Sequence, residues 1–334
     1  MGAASLIRGN EDHVWRSVAA RLARYPWPLV WWTFHKLSGT ALGKRWLDRL
    51  LPGRSRKCDI LRQICQKLGL TEKQTQLECQ RLYDTALNRV LMAQLPRLSK
   101  EALQRRYLVE GWQHFADEHS AGRPVILAGS HFGVGRVFPA WLARQGIRVL
   151  SIEGVDELEL MGAPRPEGLL VRGNRGEFTA QHLLEALRLL GTGGCVHITG
   201  DHLVNGKQRS RPMSWCGLEL DYPLGLPTLA LLSGAVIVPY FVTLIDSGSN
   251  AGNVRVEFKP KITPPPSGGF DPAQRRNAIL SLSGEYARVL MAEGEKSPGN
   301  LLHIHRAAND RGTTAGRFKR QNKAAVNPDR AEND

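Results

Sequence analysis

The stretch PVILAGSHFGVGRVFPAWLARQGIRVLSI, residues 124–152, decides the fold. Its first six residues are an apolar run with no polar break, as in a strand buried on both faces. The run ends at Gly129, Ser130 and His131, and Gly133 and Gly135 then keep side-chain bulk out of a turn. Residues 135–146 (GRVFPAWLARQG) read as a helix closed by Gly146, and 147–152 (IRVLSI) as a second buried strand. A strand, a short crossover helix and a second strand make the two strands parallel. In sheets of that kind ligands sit beyond the carboxyl ends of the strands. His131 stands at such an end.

The same alternation continues outward. Strand-like runs fall at 168–173 (GLLVRG), 195–200 (CVHITG), 212–223 (PMSWCGLELDYP), 235–244 (AVIVPYFVTL) and 253–262 (NVRVEFKPKI), the last alternating as an edge strand does. Helical runs fall at 177–191, 224–234 and 271–294, the last opened by the cap pair Asp271-Pro272. Residues 57–119 read as helical throughout, with Thr71 as an N-cap. The expected class is α/β: a twisted, mostly parallel sheet with helices on both faces, preceded by an N-terminal helical, membrane-interfacial segment. Four parts follow: a basic Trp-rich segment over 1–56, a helical part over 57–122, the α/β domain over 123–305 and a polar, disordered tail over 306–334.

The charge is uneven. The chain carries a formal +14, and residues 1–57 hold eleven Lys/Arg against three acids. Between those charges stand Trp27, Trp31, Trp32 and Trp46. Tryptophan interleaved with Lys and Arg is the composition of a segment lying on a membrane surface, and the competing reading is an amphipathic helix packed on its own domain. The apolar run WPLVWWTF (27–34) is far short of the ~20 residues that span a bilayer. No nucleic-acid-binding signature accompanies the basic charge. The start MGAASLIRGNEDHVW is too polar for a signal peptide. The five scattered cysteines have no zinc spacing and read as small apolar residues of a reducing compartment. His197, Asp201 and His202 lack a completing ligand, so no metal site is expected.

A strand-end histidine that acts as a base needs a carboxylate to orient it. Residues 110–146 and 196–242 carry a likeness that bears on this. In the first, a strand leads to His131; in the second, a strand leads to Asp201-His202, then Gly206, Cys216-Gly217, Gly225, Leu229-Ala230, Ser233-Gly234-Ala235 and Val238-Pro239. Together with the closing SPGNLLHIHR (297–306), this order resembles the lipid A late acyltransferases of the lysophospholipid acyltransferase superfamily, over roughly 107–306.

The resemblance implies transfer of a fatty acyl chain from a thioester, on acyl carrier protein or coenzyme A, to a hydroxyl of a membrane lipid or glycolipid, as in lipid A biosynthesis. It implies no cofactor and places the protein peripherally on the cytoplasmic face of a bacterial inner membrane, against anionic lipids. His131 would be the general base. The family's acid falls five positions after the histidine, where this chain has Arg136. Three readings are open: another carboxylate (Glu153, Asp156 or Asp201) reaches His131; Arg136 binds an anionic group of donor or acceptor; or the protein is a non-catalytic member of the fold that holds lipid or carrier protein. Arg172 and Arg175 match the place where the superfamily holds acceptor phosphate or head group, and with Arg136 and Asp201 make the expected substrate-binding set. Lys207, Arg209 and Arg211 fit either an acidic partner or a solvated loop.

Overall fold

A computed structural model describes residues 14–153, 156–172, 180–201, 210–266 and 268–302. The expected tail over 306–334, together with Arg175, His202, Gly206, Lys207, Arg209, His303 and His305, lies outside the described residues.

A helical layer comes first: α1 (14–22), α2 (Trp27–Gly39), α3 (Ala41–Leu50), α4 (Arg54–Lys67), α5 (Glu72–Asp84), α6 (Asn88–Gln94) and α7 (Lys100–Arg106). Helix α5 starts where the sequence places its cap: Thr71 and Gln74 form a reciprocal capping box. The all-helical reading of 57–119 fails at β1 (Tyr107–Glu110), a four-residue strand that turns into α8 (Gln113–Ser120). So short a segment has no pattern of its own and becomes a strand by pairing in the assembled sheet.

The α/β part follows as β2 (Val125–Gly129), α9 (Phe138–Arg144), β3 (Val149–Ile152), α10 (Glu157–Leu160), β4 (Leu169–Arg172), α11 (Ala180–Gly191) and β5 (Cys195–Thr199). After these come β6 (Ser210–Trp215), β7 (Leu218–Pro223), α12 (Gly225–Ser233), β8 (Val236–Leu244), β9 (Val254–Phe258) and α13 (Pro272–Lys296). Helix α13 is opened by a capping box between Asp271 and Gln274, with Pro272 in its first turn.

Seven strands form one sheet in the order β1-β9-β8-β2-β5-β3-β4. Every neighbouring pair is parallel except β8 with β9. Strand β9 is therefore not the edge strand its alternation suggests: β1 covers it. Strands β6 and β7 form a separate hairpin, turned at Cys216 and Gly217, both at positive φ.

Helices cover both faces. Phe138 of α9 stacks on Tyr240, on the face toward which Gly129 points, while Tyr286 of α13 and Leu226 of α12 close over Gly200 on the other. One hydrophobic core runs from Trp15 to Leu301, so the helical layer shares it with the sheet.

The N-terminal tryptophans differ in burial. Trp27 is buried and donates through Nε1 to the Gly252 carbonyl at 2.6 Å, and Trp31 packs on the core. Trp32 and Trp46 are 55% and 49% exposed, beside the exposed Leu29 and Leu42. No helix among the described residues is long and apolar enough to cross a membrane.

Candidate active site

The turn after β2 is held from two directions. Gly133 sits at φ +55, and a Cβ there would lie 2.2 Å from the Val242 carbonyl oxygen, so only glycine fits. Val134 N–H donates to that same carbonyl at 2.8 Å. From the other side the closing stretch of the sequence pins the turn: Gly133 N–H donates to Asn300 O at 2.7 Å, and Leu302 N–H to His131 O at 2.9 Å. Buried Glu78 of α5 secures that stretch by accepting from Gly299 N–H at 2.9 Å.

Asp201 is the carboxylate that meets His131. One oxygen lies 3.0 Å from His131 Nδ1, and the other accepts from the His131 backbone N–H at 2.7 Å. The pairing follows from strand order. Strand β2 lies beside β5 with Gly129 opposite Thr199, so His131 and Asp201 each stand two residues past a matched pair. The Asp201 side chain is 5% exposed and that of His131 13%. Of the three carboxylates considered for this contact, Asp201 makes it. Asp201 therefore grips the histidine directly, which is one of the three readings the sequence left open.

Arg136 turns away from this pair. Its Nη1 donates to Glu157 Oε1 at 2.5 Å. The same carboxylate, 4% exposed, receives Arg16 of α1 at 3.2 Å and Arg89 of α6 at 3.2 Å. Burial raises the Glu157 carboxyl, but the Arg136, Arg89 and Arg16 guanidiniums outweigh it and leave the group below its usual range. Arg136 keeps 42% of its side chain exposed.

Arg172 ends β4, three strands from β2, or about 14 Å at the ~4.8 Å spacing of neighbouring strands. Its Nε is paired with Glu185 of α11 at 2.9 Å, so the structure does not bring it to His131. Arg175 lies outside the described residues. Arg211 donates to the Leu280 carbonyl and packs on α13 at Gly284.

His197 is buried at 2% exposure, with both ring nitrogens engaged: Nδ1 with Ser151 Oγ and Nε2 with Tyr240 Oη, each at 2.7 Å. Burial, with a smaller push from His131, lowers its pKa to about 3, so the ring is neutral. Ser151 Oγ also lies 2.6 Å from Glu153 Oε1. Burial lifts the Glu153 carboxyl to about 7, against the lowering effects of the Ser151 hydrogen bond and the Arg136 charge. Gly129 is the close neighbour of this group: a Cβ there would stand 2.5 Å from Tyr240 Oη and 2.8 Å from His197 Nε2. Its carbonyl accepts from Tyr286 Oη at 2.5 Å and from Gly200 N–H at 2.9 Å.

Ser151, Tyr240 and Glu157 escaped the sequence reading as site residues. The signal for the first was a polar residue in an otherwise apolar buried strand, because a buried hydroxyl needs a partner.

The molecule so defined is an α/β protein with a His–Asp pair just beyond the carboxyl ends of two parallel strands in a mostly parallel sheet. Neither a family model nor a curated protein sequence matches this chain.

Proposed function

We propose that this protein transfers a fatty acyl chain from an acyl thioester, on acyl carrier protein or coenzyme A, to a hydroxyl of a membrane lipid or glycolipid. The observation that carries the reading is the two-point hold of Asp201 on His131. An alcohol is a poor nucleophile until its proton leaves, and the His131 imidazole is the base for that step. With Nδ1–H given to Asp201, Nε2 is the nitrogen that takes the hydroxyl proton. The alkoxide oxygen forms its bond to the thioester carbonyl carbon. The C–S bond then breaks, and the thiolate takes the proton back from the imidazolium. Asp201 stabilises that imidazolium, as the aspartate does in serine-protease triads.

Arg136 has a second role in this reading. Glu157 occupies one of its nitrogens, and the half-exposed remainder of the guanidinium suits an anionic group of the donor or acceptor. A peripheral place on the cytoplasmic face of a bacterial inner membrane is part of the same proposal. Its support is the exposed quartet Leu29, Trp32, Leu42 and Trp46 beside the exposed cations Arg24, Lys36, Arg45 and Arg49.

Two experiments test this reading. Purified protein incubated with acyl carrier protein thioesters and inner-membrane lipid is expected to give a lipid heavier by one acyl group, detected by mass spectrometry. The His131→Ala variant is expected to give none; an equal yield from that variant removes the assignment. In the second, the pair Trp32→Ser and Trp46→Ser is expected to weaken binding to phosphatidylglycerol vesicles at least tenfold. Burying the exposed half of each indole contributes about 2 kcal/mol. Unchanged flotation would detach these residues from the membrane.

A further inference from the structure

Three neighbouring strands end at this edge of the sheet, and each presents a titratable side chain just beyond its end. His131 follows β2, Asp201 follows β5 and Glu153 follows β3, with β5 between the other two. The proposed reaction uses the first two. Glu153 is partly buried, and its Oε1 starts a line of hydrogen bonds, Glu153–Ser151–His197–Tyr240, at 2.6, 2.7 and 2.7 Å.

Two arrangements of the hydrogens on that line run in opposite directions. When Glu153 is a carboxylate, Ser151 O–H donates to it. Ser151 Oγ then accepts from His197 Nδ1–H, and Nε2 accepts from Tyr240 O–H. When Glu153 is a carboxylic acid with its proton on Oε1, that O–H donates to Ser151 Oγ. Ser151 O–H must then donate to Nδ1, so the ring carries its hydrogen on Nε2 and gives it to Tyr240 Oη. The second arrangement holds one more proton than the first, taken up from solvent. His197 is neutral in both and differs only in tautomer.

We propose that Glu153 is a second proton-exchanging carboxyl of the cleft, and that Ser151, His197 and Tyr240 form a buried network that reverses direction whenever Glu153 gains or loses its proton. The groups that set its charge are Arg136 beside α9, Asp156 and Glu157 at α10, and Tyr240 of β8. Burial pushes the Glu153 carboxyl up to about 7. The network lets a half-buried acid change charge without stranding a hydroxyl or a ring nitrogen of Ser151 or His197 in the core. The use of this proton in turnover rests on the acyl-transfer reading; the reversal itself does not.

The test is nitrogen NMR of the full chain labelled in its histidine rings, followed across about pH 5 to 9. The His197 nitrogens are expected to exchange protonated and unprotonated signatures with a midpoint near 7, with the ring never doubly protonated. In Glu153→Gln the side chain no longer titrates, so a single His197 tautomer is expected at every pH. Ser151→Ala, which only removes a hydroxyl, is expected to abolish the exchange. A fixed tautomer in the wild-type protein, or an exchange that survives Glu153→Gln, overturns the proposal. The pH profile of kcat/KM for acyl transfer supplies the second readout. Because the proposed base His131 contributes a limb of its own, the profile is expected to lose one of two ionisations in Glu153→Gln; a profile identical to that of the wild type overturns the role of Glu153 in turnover. Absence of acyl transfer in the wild-type protein removes the proposed function and leaves the NMR outcome standing by itself.

Discussion

Asp201→Asn is expected to lower kcat for acyl transfer by about 10⁴-fold while leaving the fold and KM nearly unchanged, by analogy with the triad aspartate of serine proteases. The carboxylate accepts two hydrogen bonds from one residue, the backbone N–H and Nδ1 of His131. Asparagine has one acceptor oxygen in that place. If the oxygen keeps the backbone N–H, the amide hydrogens face Nδ1, which must then accept. The ring proton moves to Nε2, the nitrogen that has to take the proton of the attacking hydroxyl. The imidazolium formed on attack also loses its counter-charge. A 10⁴ loss corresponds to about 5.5 kcal/mol of transition-state stabilisation. Steady-state kinetics with near- and far-ultraviolet circular dichroism would check it. A fall below about tenfold would mean that Asp201 only tethers the turn.

The largest stability effect is expected at Glu157. Its carboxylate is 4% exposed and meets the guanidiniums of Arg16, Arg89 and Arg136, which come from α1, α6 and the turn after His131. Removing the acid leaves like charges facing one another with less solvent than they have elsewhere. Breaking one side of a buried ion pair typically costs about 3–5 kcal/mol, and Glu157→Gln is expected to fall in that range by denaturant midpoint at pH 7. The sign with pH is fixed. The folded-state carboxyl lies below its ordinary 4.5, so its stabilisation is present above that value and fades as pH falls through the folded-state value. The gap between wild type and Glu157→Gln should therefore close in acid. A gap independent of pH would assign the loss to packing instead of charge.

The path from sequence to site was uneven, for identifiable reasons. Strand β2 and the position of His131 are written locally: an unbroken apolar run, then glycines, with a capped helix and a second strand following. The partner of His131 is not. Asp201 is 70 residues away, and its contact depends on β5, and not β3, lying beside β2. No local pattern encodes that neighbour order. Spacing along the chain points instead to Arg136, whose side chain is taken by Glu157 from a helix 21 residues on. The tryptophans show the same limit. The run WPLVWWTF has no polar break to mark a buried side, and Trp27 turns inward because Gly252 offers its carbonyl. Strand β1 is four residues long and depends wholly on β9 for its hydrogen bonds.

The pairing of His131 with Asp201 into one catalytic unit is the claim on which the account rests, and a double-variant cycle measures it most directly. Acyl-transfer rates would be compared for the wild-type protein, His131→Ala, Asp201→Asn and the combined variant. Residues that act as a unit are strongly non-additive. The account predicts that the combined variant is no slower than His131→Ala alone, because an aspartate with no imidazole to hold contributes nothing further. Losses that multiply in the combined variant, or a His131→Ala protein that still transfers acyl chains at the wild-type rate, would contradict it.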